Sequence, residues 1–199
     1  MQSRRLPSSA TGLAPREISL DDAALLQRFF VENPEYFHIV HGAAPQPDEA
    51  RDEIDDALPA GWSYTHKWKI GYFDSEGRLL AFVSIVSDLL AQGVWHIGLF
   101  MLATPCHGSS LARQLHAELE AWAVGEGARW MRLSVVQDNA RAQGFWNACG
   151  YAQVRTRDGI ELGRLQHQVR IMIKPLAGDS LIDYLALMPR DRIEEQAPC

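Results

Sequence analysis

The spacing of apolar residues along the chain starts helical, turns extended, and then switches between the two. Leu25, Leu26, Phe29 and Phe30 recur at helical steps and predict a helix, with Ser19 or Asp21 able to cap its start. Asn33-Pro34 stops it, because the residue before a proline is driven out of the helical region. Glu35 to Val40 reads as a short second turn and Gly42 to Pro47 as a loop. Asp48 to Leu58 reads as an acidic helix ended by Pro59-Ala-Gly61. Tyr64 to Phe73 and Leu79 to Ser87 then read as strands, joined by an Asp74-Ser-Glu-Gly77 hairpin turn. Gly93 to Ala103 is almost continuously apolar, as a strand buried on both faces should be.

Beyond it, Leu111, Leu115, Leu119 and Trp122 share one helix face, and Gly125 and Gly127 end that helix. Trp130 to Val136 alternates, with Met131, Leu133 and Val135 on one side and Arg132 and Ser134 on the other. Asn139 to about Ala148 is a helix closed by Gly150. Tyr151 to Arg155 and Gln166 to Ile173 read as the last strands, with Asp158-Gly159 in the loop between them. The strand–helix–strand unit at 93–136 predicts a right-handed parallel crossover, and the flanking hairpins are antiparallel. The sum is an α/β layered fold: a central mixed, mostly antiparallel sheet with helices on both faces.

The ends carry little of this pattern. Residues 1–15 read as a flexible N-terminal tail and 16–175 as one domain. Residues 176–199 form a C-terminal extension with one weakly amphipathic segment, Leu181 to Met188, before a charged tail. A hydrophobic fraction of 47% supports a sizeable core, and a net charge of −6 lacks the basic footprint of nucleic-acid binding. Cys106, Cys149 and Cys199 are odd in number and show no C-x-x-C spacing, so neither a disulfide framework nor a metal site is indicated. Reduced cytoplasmic thiols are the plain reading. No apolar run follows Arg4 and Arg5, and none is long enough to span a membrane.

Two segments carry candidate chemistry. His107-Gly-Ser-Ser-Leu-Ala112 opens a helix with small residues, and free backbone N–H groups at such a start accept an anion. An ordinary serine-capped helix start reads the same way. A dinucleotide fingerprint would need three glycines, and this turn has Gly108 alone. Asn139, Ala142, Phe145 and Trp146 recur on one helix face. They could be core and cap, or line a cleft, or both.

Together the two segments resemble the GNAT acyltransferase superfamily. That family's Q/R-x-x-G-x-G/A turn falls on His107 to Ala112, with His107 and Ser110 as departures. Its N-x-x-A-x-x-F-Y-x-x-x-G-F/Y segment falls on Asn139, Ala142, Phe145, Gly150 and Tyr151. The resemblance spans roughly residues 60–175 and implies an acetyl-CoA-dependent N-acetyltransferase without a metal. It implies that the amides of His107, Gly108, Ser109, Ser110, Leu111 and Ala112 hold the cofactor pyrophosphate. Leu102 to Thr104 would pair with the pantetheine arm as with an added strand, and Asn139 and Phe145 would lie against it. Trp146 stands where the family often places a tyrosine acid, and indole N–H is a poor proton source. His96 and Glu35 are the candidate bases. The partner would be a small-molecule or peptide amine, with no nucleic acid and no membrane, and the segment after 176 could exchange between subunits of a homodimer. A catalytically silent acyl-CoA-binding module and an unrelated nucleotide-cofactor binder are the competing readings.

Overall fold

The computed structural model describes residues 6–8 and 10–193. The outermost parts of both expected tails lie outside the described residues. The elements are β1 (Ala14–Glu17), α1 (Ala23–Glu32), α2 (Glu35–Val40), α3 (Glu49–Asp55), β2 (His66–Phe73), β3 (Leu79–Ser87), β4 (Val94–Leu102), α4 (Leu111–Gly125), β5 (Trp130–Val136), α5 (Ala140–Ala148), β6 (Ala152–Leu162), β7 (Leu165–Pro175) and α6 (Leu181–Leu187). The strands form one seven-stranded sheet in the order β1-β2-β3-β4-β5-β7-β6. Every neighbouring pair is antiparallel except β4 and β5, which are joined by the α4 crossover. The mixed α/β sheet is as the apolar pattern predicts.

Alternation along the strands divides the core between the two faces. Trp68, Ile70, Trp95, Ile97, Met131, Leu133 and Val135 pack under α4 and α5. Trp68 and Trp95 stack at 5.2 Å, and Trp122 from α4 meets both edge-on. On the other face, Phe29, Phe30 and Phe37 cover Phe82, Leu99 and Met101, while Trp130, Ile171 and Ile173 pack with Tyr184 of α6.

Three expectations change. The flexible tail expected over 1–15 overlaps β1 at Ala14 and Pro15; these pair with β2, as do Arg16 and Glu17, in an edge strand flanked by the buried Leu13 and Ile18. A four-residue strand is too short to alternate visibly, and Pro15 is tolerated at an edge. Asp158-Gly159 does not close the last hairpin. It lies inside β6 at a register irregularity, where Gly159 has a φ of 69°, so a turn-like dipeptide serves as a bulge. The hairpin turns at Gly163-Arg164 instead, and its tip braces α2: Arg164 N–H donates to His41 O at 2.9 Å, and His167 Nε2 lies 2.8 Å from Val40 O. A Cβ on Gly163 would come within 2.6 Å of His41 O.

The C-terminal extension is the third. Beyond α6, Asp191 is 0% exposed and enters the sheet face. It accepts from Arg132 Nε at 2.8 Å, Arg157 Nη2 at 2.9 Å and Tyr184 Oη at 2.6 Å. Burial pushes its carboxyl up, but the Arg132 hydrogen bonds and charge, then Tyr184 and Arg157, outweigh that and hold it below the usual range. Stability from this carboxylate is therefore fully present above its unfolded pKa and is lost as pH falls through the lower folded value. Removing one partner leaves the other buried charge uncompensated, so Asp191→Ala should destabilise the fold by about 3–5 kcal/mol. Urea unfolding at neutral pH measures it, and a change below about 1 kcal/mol would show that the extension is not anchored there.

Candidate active site

Pairing between β4 and β5 stops at Ile97 and Leu133, although β4 runs on to Leu102 and β5 to Val136. The cause is local: Gly98 is one residue too many against β3, where Ser84 faces Leu99 and Ile85 faces Ile97. Such a bulge bends and twists its strand. The ends of β4 and β5 diverge, and a cavity of about 550 Å³ lies at the free end of β4, beside α5 and α2, a size usual for small-molecule sites.

The wall is built from five parts, of which the start of α4 gives Ala112 and Arg113. β4 supplies Phe100, Met101 and Leu102, and the following turn supplies Thr104, Cys106, His107, Gly108, Ser109 and Ser110. From α5 and its cap come Asn139, Arg141, Ala142, Phe145 and Trp146. From the end of α1 and from α2 come Asn33, Glu35, Tyr36 and Ile39. Two asparagines hold these parts in place. Asn139 Oδ1 accepts from Ala142 N at 3.0 Å, so it is both the cap of α5 and part of the wall. Asn33 donates from Nδ2 to Phe29 O at 2.7 Å and accepts from Thr104 N at 2.5 Å, tying the end of α1 to the end of β4. Sequence reading treated Asn33 only as a helix stop. Its link to Thr104 spans 71 residues, and no local pattern signals that.

The turn fits an anion. Gly108 has a φ of 75° and open space where a Cβ would stand. Among the described hydrogen bonds, the N–H groups of Gly108, Ser110 and Ala112 have no acceptor, and they lie at the positive end of the 15-residue helix α4. Leu111 differs. Its N–H is taken by Ser109 Oγ at 3.2 Å and its side chain packs on the core, so the structure does not bring it to the wall. Phe145 stacks on Phe100 with ring centroids 5.9 Å apart, and Trp146 packs against Phe100, His116 and Tyr151.

Of the two candidate bases, Glu35 lies in the wall. His96 does not. Its Nδ1 is 3.2 Å from Arg132 Nη1, beside the Asp191 cluster. Burial, then the Arg132 charge, lowers its pKa from 6.5 to about 3. Tyr151 is also outside the wall, with its hydroxyl 3.0 Å from His116 Nε2. Burial, then Lys174, lowers His116 to about 4. Tyr36 was missed by sequence reading. Its phenol is pushed well up by burial, then by Glu53 and Glu49, and so stays protonated at neutral pH.

Comparison with known proteins fits this geometry. A model of the acetyltransferase (GNAT) family matches residues 26–151. The chain belongs to that family. Among curated proteins no relative matches. An acetyltransferase from Thermus thermophilus superposes with a TM-score of 0.65 at 22% identity, covering 85% of this chain and 100% of its own. A GCN5-related N-acetyltransferase from Kribbella flavida gives 0.62 at 20% identity over 84% of this chain and 100% of its own. A spermidine N-acetyltransferase from Vibrio cholerae, in complex with CoA and spermine, gives 0.63 at 14% identity over 83% and 96%. These likenesses establish the GNAT fold. Among the described residues of this GNAT chain, no helix is long and apolar enough to cross a membrane.

The half-buried His96 and the buried His116 are neutral in the folded state at neutral pH. A folded pKa below the unfolded value means that stability is fully present above about pH 6.5 and falls as the pH drops toward the folded values. In an NMR titration the His96 and His116 ring signals should not move between about pH 5.5 and 8. A midpoint for either within that window would contradict the packing described.

Proposed function

We propose that the protein is an N-acetyltransferase that moves an acetyl group from acetyl-CoA directly to a primary amine held in the same cavity. The observation that carries this reading is the open β4 edge running straight into a turn with free amides. An extended amide-bearing arm can add to the first, and a pyrophosphate can sit on the second. Acetyl-CoA would supply an activated thioester. Leu102 would pair with the arm and Thr104, whose N–H is held by Asn33, would only line it; the amides of Gly108, Ser110 and Ala112 would hold the phosphates, and Asn139 and Phe145 the flank of the arm.

The amine must lose a proton to become a nucleophile. Glu35 is the carboxylate in the wall able to take it, directly or through water. His96 is badly placed for that task, because Arg132 occupies one ring nitrogen and burial suppresses its basicity. Trp146 excludes water from the inner end of the cavity. Tyr36 is a wall residue that keeps its proton and can donate a hydrogen bond. The acceptor approaches between Asn33, Glu35, Tyr36 and Ile39, a mixed wall with one carboxylate, which suits a cationic amine. The thiols of Cys106 and Cys149 are free, in keeping with a reducing cytoplasmic setting.

Calorimetric titration tests the cofactor reading: acetyl-CoA and CoA should bind in the micromolar range, and NADH should not. Gly108→Val places a branched side chain at a positive φ and fills the cradle, so it should weaken CoA binding by about tenfold or more. Equal binding by wild type and variant would move the phosphate site elsewhere. Trp146 in place of tyrosine favours one second reading, an acyl-CoA-binding module without turnover. Amine-dependent release of CoA thiol across a broad amine panel would reject it.

A further inference from the structure

Side chains from three parts of the cavity wall join across its mouth. His107 Nε2 lies 3.1 Å from the carbonyl oxygen of Leu102. A carbonyl only accepts, so this nitrogen carries the ring proton and Nδ1 keeps its lone pair. Arg141 Nη1 donates to that Nδ1 at 2.6 Å. The other arm of the guanidinium, Nη2, donates to Glu35 Oε1. The second Glu35 oxygen lies 3.8 Å from His107 Nδ1. The bridge thus runs from β4 through the turn and α5 to the first residue of α2.

Its two ends fall on groups that the proposed reaction needs. Ala103 N–H donates back to Leu80 O on β3. By the alternation of an antiparallel ladder, the Leu102 carbonyl one residue earlier points away from β3, into the cleft. The open edge of β4 is therefore capped by His107 at the point where an added strand would pair. At the other end the carboxylate best placed to meet the amine is occupied by a guanidinium. The bridge is also exchangeable. The Arg141 and Glu35 side chains are 57% and 43% exposed, and ion pairs so exposed are weak because water screens them. A guanidinium fits phosphate oxygens through paired donors, and His107, in contact with Arg141, begins the turn that bears the free amides.

We propose that Arg141 is a cofactor-positioning residue that exchanges partners, pairing with Glu35 and His107 before acyl-CoA enters and with its phosphates afterwards, which releases Glu35 to the amine. The inference rests on the acyl-CoA reading above. It couples the two halves of the cavity: whatever draws Arg141 to the turn frees the acceptor side, and whatever holds Arg141 on Glu35 opposes cofactor entry. It also gives Arg141 a role that neither family segment assigns.

The test is a double-mutant cycle read as calorimetric affinity for CoA at fixed ionic strength, with the wild type, Glu35→Ala, Arg141→Met and the double variant. Both side chains are largely in solvent, and thermal melts of each variant check folding; Arg141→Lys serves as a second, charge-keeping probe. Glu35→Ala should tighten CoA binding by about two- to fivefold, because it frees Arg141. Arg141→Met should weaken binding by about tenfold, and Arg141→Lys by less. In the double variant the gain from Glu35→Ala should vanish. If the gain persists without Arg141, Glu35 acts only by repelling the phosphates and the exchange is overturned. If Glu35→Ala weakens binding, the bridge is a fixed strut and the exchange is again overturned. A wild type that binds no CoA would remove the acyl-CoA reading and this inference with it, whereas a wild type that binds CoA with an additive cycle removes this inference alone.

Discussion

The proposed site depends on the parting of β4 from β5 after Ile97 and Leu133. Each strand keeps its outer partner. β4 stays paired with β3 as far as Leu102, and β5 stays paired with β7 as far as Val136. The wedge is therefore held open by two ladders that continue past it, the first through the Gly98 bulge, and is no local fraying. The edges facing each other across it are left without a partner strand, and such backbone groups need one. The site is a defect in the sheet that the rest of the fold maintains.

What maintains it is divided between the faces. On one side Phe100, Phe145 and Trp146 close the bottom of the wedge with stacked and edge-on rings. On the other, the Asn33–Thr104 bond fixes α1 to the end of β4, and the tip of the β6–β7 hairpin fixes α2 through His41 and Val40. The Arg132–Asp191 pair lies at the point where β4 and β5 are still joined, since Arg132 faces His96 in the parallel register. The C-terminal extension thus clamps the paired end of the two strands whose other ends must stay apart.

The fold was largely legible because its strands and helices follow periods that burial imposes. Met131, Leu133 and Val135 lie on the α4–α5 face as their alternation predicts, and Arg132 lies opposite. Residues of both family segments, in the turn and in α5, line one cavity. What could not be read is non-local. Asn33 and Arg141 look like a helix stop and a surface cation until α1, β4 and α5 are brought together. His96 has a base's side chain on the right strand, but Arg132 and Asp191 from distant segments decide its state. Residues Asp158-Gly159 are a turn dipeptide that the pairing of β6 with β7 turned into a bulge.

The central claim is that the wedge is a binding edge for an extended ligand with an anionic end. Amide hydrogen exchange with and without CoA tests it most directly. The account predicts slowed exchange confined to the free edge of β4 near Leu102 and to the Gly108, Ser110 and Ala112 amides, with no such effect from NADH. Protection absent from these amides, or equal with NADH, would contradict it.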